Sequence, residues 1–236
     1  MVTMPIPKLL ITMSAPMMFS MLIQALYNVV DSMFVSNISE AALTAVSLAY
    51  PVQNLIIALA TGTGVSINAL LSRNLGARNF TTANRVASNT IFLGIVGSLL
   101  VALIGAVGTR FYFSIQVSDP EIIQMGYDYL IWITVLSVGC FGQVLLSRLL
   151  QSTGKTFYSM VIQLVGALLN IILDPILIFG LLGCPTLGVS GAAIATVISQ
   201  FVGVGLGIYF NWKKNPEIKI TMSGMRPSPQ VILRIY

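Results

Sequence analysis

Six stretches of this 236-residue chain contain no Asp, Glu, Lys or Arg: Leu9 to Val30, Ala41 to Ser72, Val86 to Thr109, Tyr129 to Ser147, Thr156 to Leu173 and Pro175 to Trp212. Each is near or above the roughly 20 residues that a helix needs to cross about 30 Å of hydrocarbon, and the last has room for a turn as well. Water-soluble domains do not carry such runs at 8% charged residues and a mean hydropathy of +0.90. In lipid every backbone polar group needs an internal partner, which leaves helices or closed barrels. The runs lack the ten-residue alternation of barrel strands. The sequence therefore predicts an all-α membrane protein with six transmembrane helices, at 10–36, 44–71, 86–109, 123–152, 157–181 and 189–212. Lys8 to Val35 is too long for the apolar core of a signal peptide, and no small-residue cleavage site follows it.

Orientation follows from the basic residues. Lys8 precedes the first span; Arg73, Arg78 and Arg85 lie between the second and third; Arg148 and Lys155 flank the turn after the fourth; Lys213, Lys214, Lys219, Arg226 and Arg234 follow the sixth. Of twelve Lys and Arg, Arg110 alone falls on the other side, which places both chain ends in the cytoplasm and the chain in a plasma (inner) membrane. The net charge of +5 thus reports topology, and nucleic acid is not an expected partner. Glu40, Asp119, Glu121 and Asp128 lie at the outer side, and two acids, Asp31 and Asp174, fall inside spans.

Those two aspartates have polar company. Gln24, Tyr27, Asn28, Asp31 and Val35 share one face of the first span, a stripe that belongs against protein or water. In the fifth span Gln163, Gly166, Ala167, Asn170 and Asp174 do the same, with Asn170 and Asp174 one turn apart. Pro175 cannot donate to the Ile171 carbonyl, so a bend that frees an acceptor beside Asp174 is expected. Both aspartates lie a few residues from the outer ends of their spans and can meet. Burying either charge costs at least a few kcal/mol. Two carboxylates together repel, so one should hold a proton or both should share a cation near neutral pH. The alternative is that each merely hydrogen-bonds a neighbouring helix. Two aspartates with Asn28 and Asn170 nearby, and no basic residue expected in any span, favour the cation site. Small residues at the start of the sixth span, "GVSGAAIATVISQ", allow close approach, and Thr196 could add a hydroxyl. Pro51, Gln53 and Asn54 read as a bend and cavity lining.

Other features carry less. "PIPKLLI" at Pro5 to Ile11 returns in form as "PSPQVIL" at Pro227 to Leu233, 222 residues later and beyond a basic linker. This reads as the start of a second half, with 1–212 a six-helix lobe and 213–236 a cytoplasmic linker. Cys140 and Cys184 sit on different elements and read as packing residues. "STGKT" lacks the earlier glycine of a P-loop, and "GVGLG" at 203–207 lies inside an apolar span.

"LYNVVDSMFVSNISEAALTAVSLAYPV", "RNLGARNFTTANR", "QSTGKT" and "NIILDPILIFGLLGCPTLGVSGAAIAT" together resemble the N-terminal lobe of the multidrug and toxic compound extrusion (MATE) family, across essentially the whole chain. The resemblance implies one lobe of a two-lobed, twelve-helix antiporter. It implies coupling to H+ or Na+ with no further cofactor, a small organic substrate, and a second lobe or another chain as partner. By motif its proton- or sodium-responsive site falls on Asp31, Asn170, Asp174 and Thr196. Gln24, Tyr27, Asn28, Gln53, Asn54 and Gln163 would line the cavity, and Pro175 would serve as the hinge. Thr156 is followed by Phe157 and Tyr158 where the family usually has proline. A cavity without fixed positive charge and with Met17, Met18, Met21 and Tyr27 would suit lipophilic organic cations.

Three alternatives stand beside this one. A lipid-linked precursor flippase of the same superfamily would need basic side chains for pyrophosphate. An intramembrane aspartyl protease would share a proton between two aspartates, but Asp31 follows Val30 and Asp174 follows Leu173, unlike the expected Tyr-Asp and Gly-x-Gly-Asp contexts. A structural scaffold would tolerate asparagine at both aspartates. The topology is directly testable: single cysteines placed near 40 and 119 should react with impermeant reagent from outside, and one near Arg78 should not.

Overall fold

A computed structural model describes residues 6–218. Lys219, Arg226, Arg234 and the Pro227 to Leu233 stretch lie outside the described residues, as does Pro5. Within them the chain forms α1 (Ile6–Ser36), α2 (Glu40–Gly76), α3 (Phe80–Gln116), α4 (Pro120–Val135), α5 (Val138–Ser152), α6 (Thr156–Phe179) and α7 (Val189–Lys214), with a single 3-10 turn at Leu181–Gly183. Five of these helices are long and apolar enough to cross a membrane, and α4 with α5, bent by 45°, add a sixth if the pair counts as one span.

The helix ends follow local chemistry. Ser39 and Asn79 accept hydrogen bonds from the amides of Ala42 and Thr82, capping α2 and α3. Asp119 accepts from Glu121, with Pro120 in the first turn of α4. Gly180, at φ 71°, ends α6 in the left-handed conformation that suits a residue without Cβ. The chain then returns, and the amides of Leu187 and Gly188 bond the carbonyls of Leu177 and Ile178.

The structure corrects two expectations. The span at 123–152 is not one helix: it breaks at Leu136 and Ser137, where the buried Ser137 hydroxyl donates to the Ser98 carbonyl of α3 at 3.1 Å. Neither proline nor a glycine pair marks that break in the sequence; a contact to another helix holds it. Secondly, α2 and α3 extend by up to about two turns beyond the apolar runs, because capped, polar turns continue them. α2 runs through Pro51 and α6 through Pro175 as continuous helices.

Packing joins α6 to α7 and α1, and α5 to α2 and α7, while α3 covers α2 and α4. Buried polar groups tie these pairs. The Asn211 amide donates to the Leu146 carbonyl at 3.0 Å, and the Tyr112 hydroxyl to the Leu48 carbonyl at 2.9 Å. At the basic end of the bundle Lys155 pairs with Glu217. α1 is the loosest member. It packs chiefly on α6 and touches α2 and α7 little, leaving Leu10, Met18, Met21, Leu26 and Met33 more than half exposed.

Among the described glycines, the tightest fit against backbone is at Gly191, where a Cβ would lie 2.5 Å from the Leu177 carbonyl oxygen. Gly191→Ala is expected to push α7 from α6 and cost about 1–3 kcal/mol. Gly62→Ala, with nothing within 4 Å, should be neutral or better; thermal unfolding of both variants in detergent checks this.

Candidate functional site

That approach of α7 to α6 sets three buried side chains together. Asn170 and Asp174 stand one turn apart on α6, at 2% and 0% exposure, and Thr196 on α7 faces them at 3%. The Asn170 amide nitrogen donates to Asp174 Oδ1 at 3.2 Å and to Thr196 Oγ1 at 3.3 Å. Both its protons are thereby used, and its carbonyl oxygen is left without a partner. α1 supplies the fourth member: Asp31 lies against Asp174, carboxyl to carboxyl. One turn nearer the chain start, Tyr27 meets the Thr196 hydroxyl.

Three oxygens, Asp31 Oδ1, Asp174 Oδ2 and Asn170 Oδ1, are buried with no hydrogen-bond partner. Unsatisfied acceptors of this kind are costly away from water. Among the described residues the one side-chain ion pair is that of Lys155 with Glu217, so neither aspartate has a basic partner. Together these oxygens and Thr196 Oγ1 form an all-oxygen donor set, the kind that a small hard cation or a proton satisfies. No group of three or more His, Cys, Asp or Glu suited to a metal occurs among the described residues.

Beside the cluster is a cavity of about 300 Å³ bounded by α1, α2, α5, α6 and α7. Gln24, Tyr27, Asn28, Asn54 and Gln163 line it as expected, as do Asn170 and Thr196. Gln53 does not; its side chain bonds Tyr129 of α4 instead. Met17, Met18 and Met21 do not line it either, and Met18 and Met21 are about 70% exposed on the outside of α1. Cys140, read as packing, is buried in α5 and reaches the cavity wall.

The larger correction concerns charge. Arg148, counted from sequence with the charges that flank the turn after the span at 123–152, lies in the last turns of α5 and lines the cavity with Gln143, Ser147, Gln151 and Gln200. The cavity therefore does have a fixed positive charge. A signal was available: Cys140, Gln143, Ser147 and Gln151 recur at helical spacing, so one polar stripe continues through α5 to its end. Tyr129, fully buried beside the aspartates, had no comparable signal, since a tyrosine in an apolar span looks like packing.

The Asn170 bridge is testable by stability. Asn170→Ala removes the donor to both Asp174 and Thr196 and should lower stability by about 1–3 kcal/mol, read as a lower thermal midpoint; Asn170→Asp, which cannot donate to a carboxylate when ionised, should recover less of it than Asn170→Gln.

Comparison with known proteins places the chain in a family. The MatE family model matches residues 16–176. The chain is 31% identical over 215 residues to the FAD transporter of Shewanella oneidensis, covering 87% of this chain and 45% of the relative. It is 30% identical to the probable multidrug resistance protein NorM of Thermotoga maritima, covering 98% and 50%, and 29% to the multidrug export protein MepA of Staphylococcus haemolyticus, covering 97% and 50%. A solved structure of a MOP superfamily transporter from Pyrococcus furiosus superposes with a TM-score of 0.89 at 29% identity, covering 97% of this chain and 50% of that one. The chain spans about half the length of the curated relatives it matches.

Proposed function

Because the chain belongs to the MATE family of membrane transporters, we propose that it forms the ion-responsive lobe of a cation-coupled antiporter that exports small organic molecules, with H+ or Na+ held by Asp31, Asn170, Asp174 and Thr196. The observation that carries this reading is the pair of adjacent aspartates with orphaned oxygens and no basic partner. Two carboxylates in an apolar bundle repel unless a positive charge joins them. A proton on one oxygen makes a neutral-acid donor to the other. A sodium ion would instead draw both carboxylates, Asn170 Oδ1 and Thr196 Oγ1 inward.

Either event changes how tightly α1 holds α6. α1 has few other contacts, so the free energy of neutralising the pair falls on the α1–α6 interface, and a bend at Pro175 is the second adjustable element. Loading and unloading the cation can thus bias two packings of these helices, and a substrate in the adjoining cavity senses which is present. Both chain ends are assigned to the cytoplasmic side of the plasma membrane, and a second lobe, covalent or from another chain, would close the transport path. Multidrug export by the named relatives supports the organic substrate class. The expectation of purely cationic substrates loses its premise, since Arg148 lines the cavity.

The test is charge removal without loss of shape. In the full transporter, Asp31→Asn and Asp174→Asn should insert and fold normally. Each should reduce ion-dependent efflux about tenfold or more, the effect of about 1.4 kcal/mol or more in coupling. Efflux with unchanged ion dependence in both variants would assign the aspartates to packing.

A further inference from the structure

Arg148 is the cavity's one basic side chain, and the aspartates do not use it. Its partner Gln151 reaches Ser159, and Ser159 is 15 residues before Asp174 on α6, a rise of about 22 Å. No carboxylate pairs with Arg148 among the described residues. The guanidinium is nevertheless held in place. Nη1 donates to Gln151 Oε1 at 2.9 Å, and Gln151 Nε2 donates to Ser159 Oγ at 2.7 Å, which fixes the glutamine with its oxygen toward the arginine. The stem of Arg148 lies on α2 at Gly64, where a Cβ would come within 2.8 Å of Arg148 Cγ. A positioned guanidinium that spends one of its five donors on the protein, at the wall of a cavity otherwise lined there by neutral amides such as Gln143, Gln163 and Gln200, is suited to an oxyanion rather than to a cation.

We propose that this end of the cavity is an anion subsite, in which Arg148, set by Gln151 and Gly64, takes a phosphate or carboxylate group of the transported molecule. The proposal rests on the transporter reading above and narrows its substrate class to molecules that carry an anionic oxygen group. The cavity then has opposite polarity at its two ends: an arginine fork at the end near Gln151, and the Asn170 and Thr196 wall, backed by the aspartates, at the other. A substrate anion at Arg148 lies far enough from the carboxylates to escape their repulsion, and cation loading at the aspartates is not competed by the arginine.

Flavin mononucleotide and riboflavin share one fluorescent ring and differ by a phosphate, so they are the probes. The 236-residue chain in phosphatidylcholine nanodiscs, with no ion gradient, is titrated with each. The ratio of the two affinities is independent of whether the aspartates couple transport, so failure here and failure of the coupling reading are separable. The expected result is about tenfold tighter binding of flavin mononucleotide, the scale of a charge-assisted bidentate pair. Arg148→Gln should bring the ratio to about one and Arg148→Lys should keep part of it. Gly64→Ala, which displaces the arginine stem, should lower the ratio without removing any charge, and it serves if Arg148→Gln does not fold. Repeating the wild-type titration with phosphatidylglycerol in the nanodisc identifies the source of the group: loss of the preference there makes a lipid headgroup the occupant, and its retention makes the occupant a soluble solute. No preference in the wild type in phosphatidylcholine, or an unchanged ratio in Arg148→Gln, would overturn the proposal.

Discussion

Two carboxylates meeting in a hydrocarbon bundle, with no basic partner among the described residues, are the constraint around which this lobe is arranged. A buried, unpaired charge is tolerated only where surrounding groups hold it, and here the holding takes three helices. α6 carries Asp174 and Asn170, α7 brings Thr196 to the amide, and α1 brings the second acid. The close contact of Gly191 with the Leu177 backbone is what lets α7 stand near enough for Thr196 to take part. Loss of that approach would leave Asn170 with one acceptor for two protons.

Rigidity is distributed unevenly around this cluster. α2, α5 and α7 are joined by side chains that bond backbone carbonyls of the neighbouring helix, as Asn211 does to Leu146, and the bend between α4 and α5 is pinned to α3 through Ser137. On α1 the hydroxyls at Ser20 and Ser32 instead bond carbonyls of their own helix. The two aspartates are thus split between a well-tied frame and one loosely packed helix, the arrangement in which the proposed cation loading would have most leverage on packing.

The sequence by itself determined the spans and the aspartates. Long charge-free runs admit no fold but membrane helices, because the cost of unsatisfied backbone groups in lipid is large and independent of detail. Asp31, Asn170 and Asp174 stood out for a related reason: a polar side chain in such a run is expensive enough to need a purpose, and helical spacing put each on a common face with its neighbours. The motifs that resemble the MATE family gave the same residues.

Tertiary structure decided what spacing cannot encode. Which acceptors stay unpaired depends on which way the Asn170 amide turns, and that is set by Thr196 on another helix. The break at Leu136 and Ser137 depends on a carbonyl of α3. Gln53 left the cavity for Tyr129, and Met18 and Met21 faced outward, because helical periodicity gives a face but not the neighbour on it. Arg148 shows the limit most plainly: it counts by sequence as a charge near the end of the span at 123–152 that reports topology, and only its place at the cavity and the fit of its stem against Gly64 put it in the wall. Local periodicity and transfer free energies are properties of a segment, whereas partners, orphaned atoms and enclosed space arise between segments.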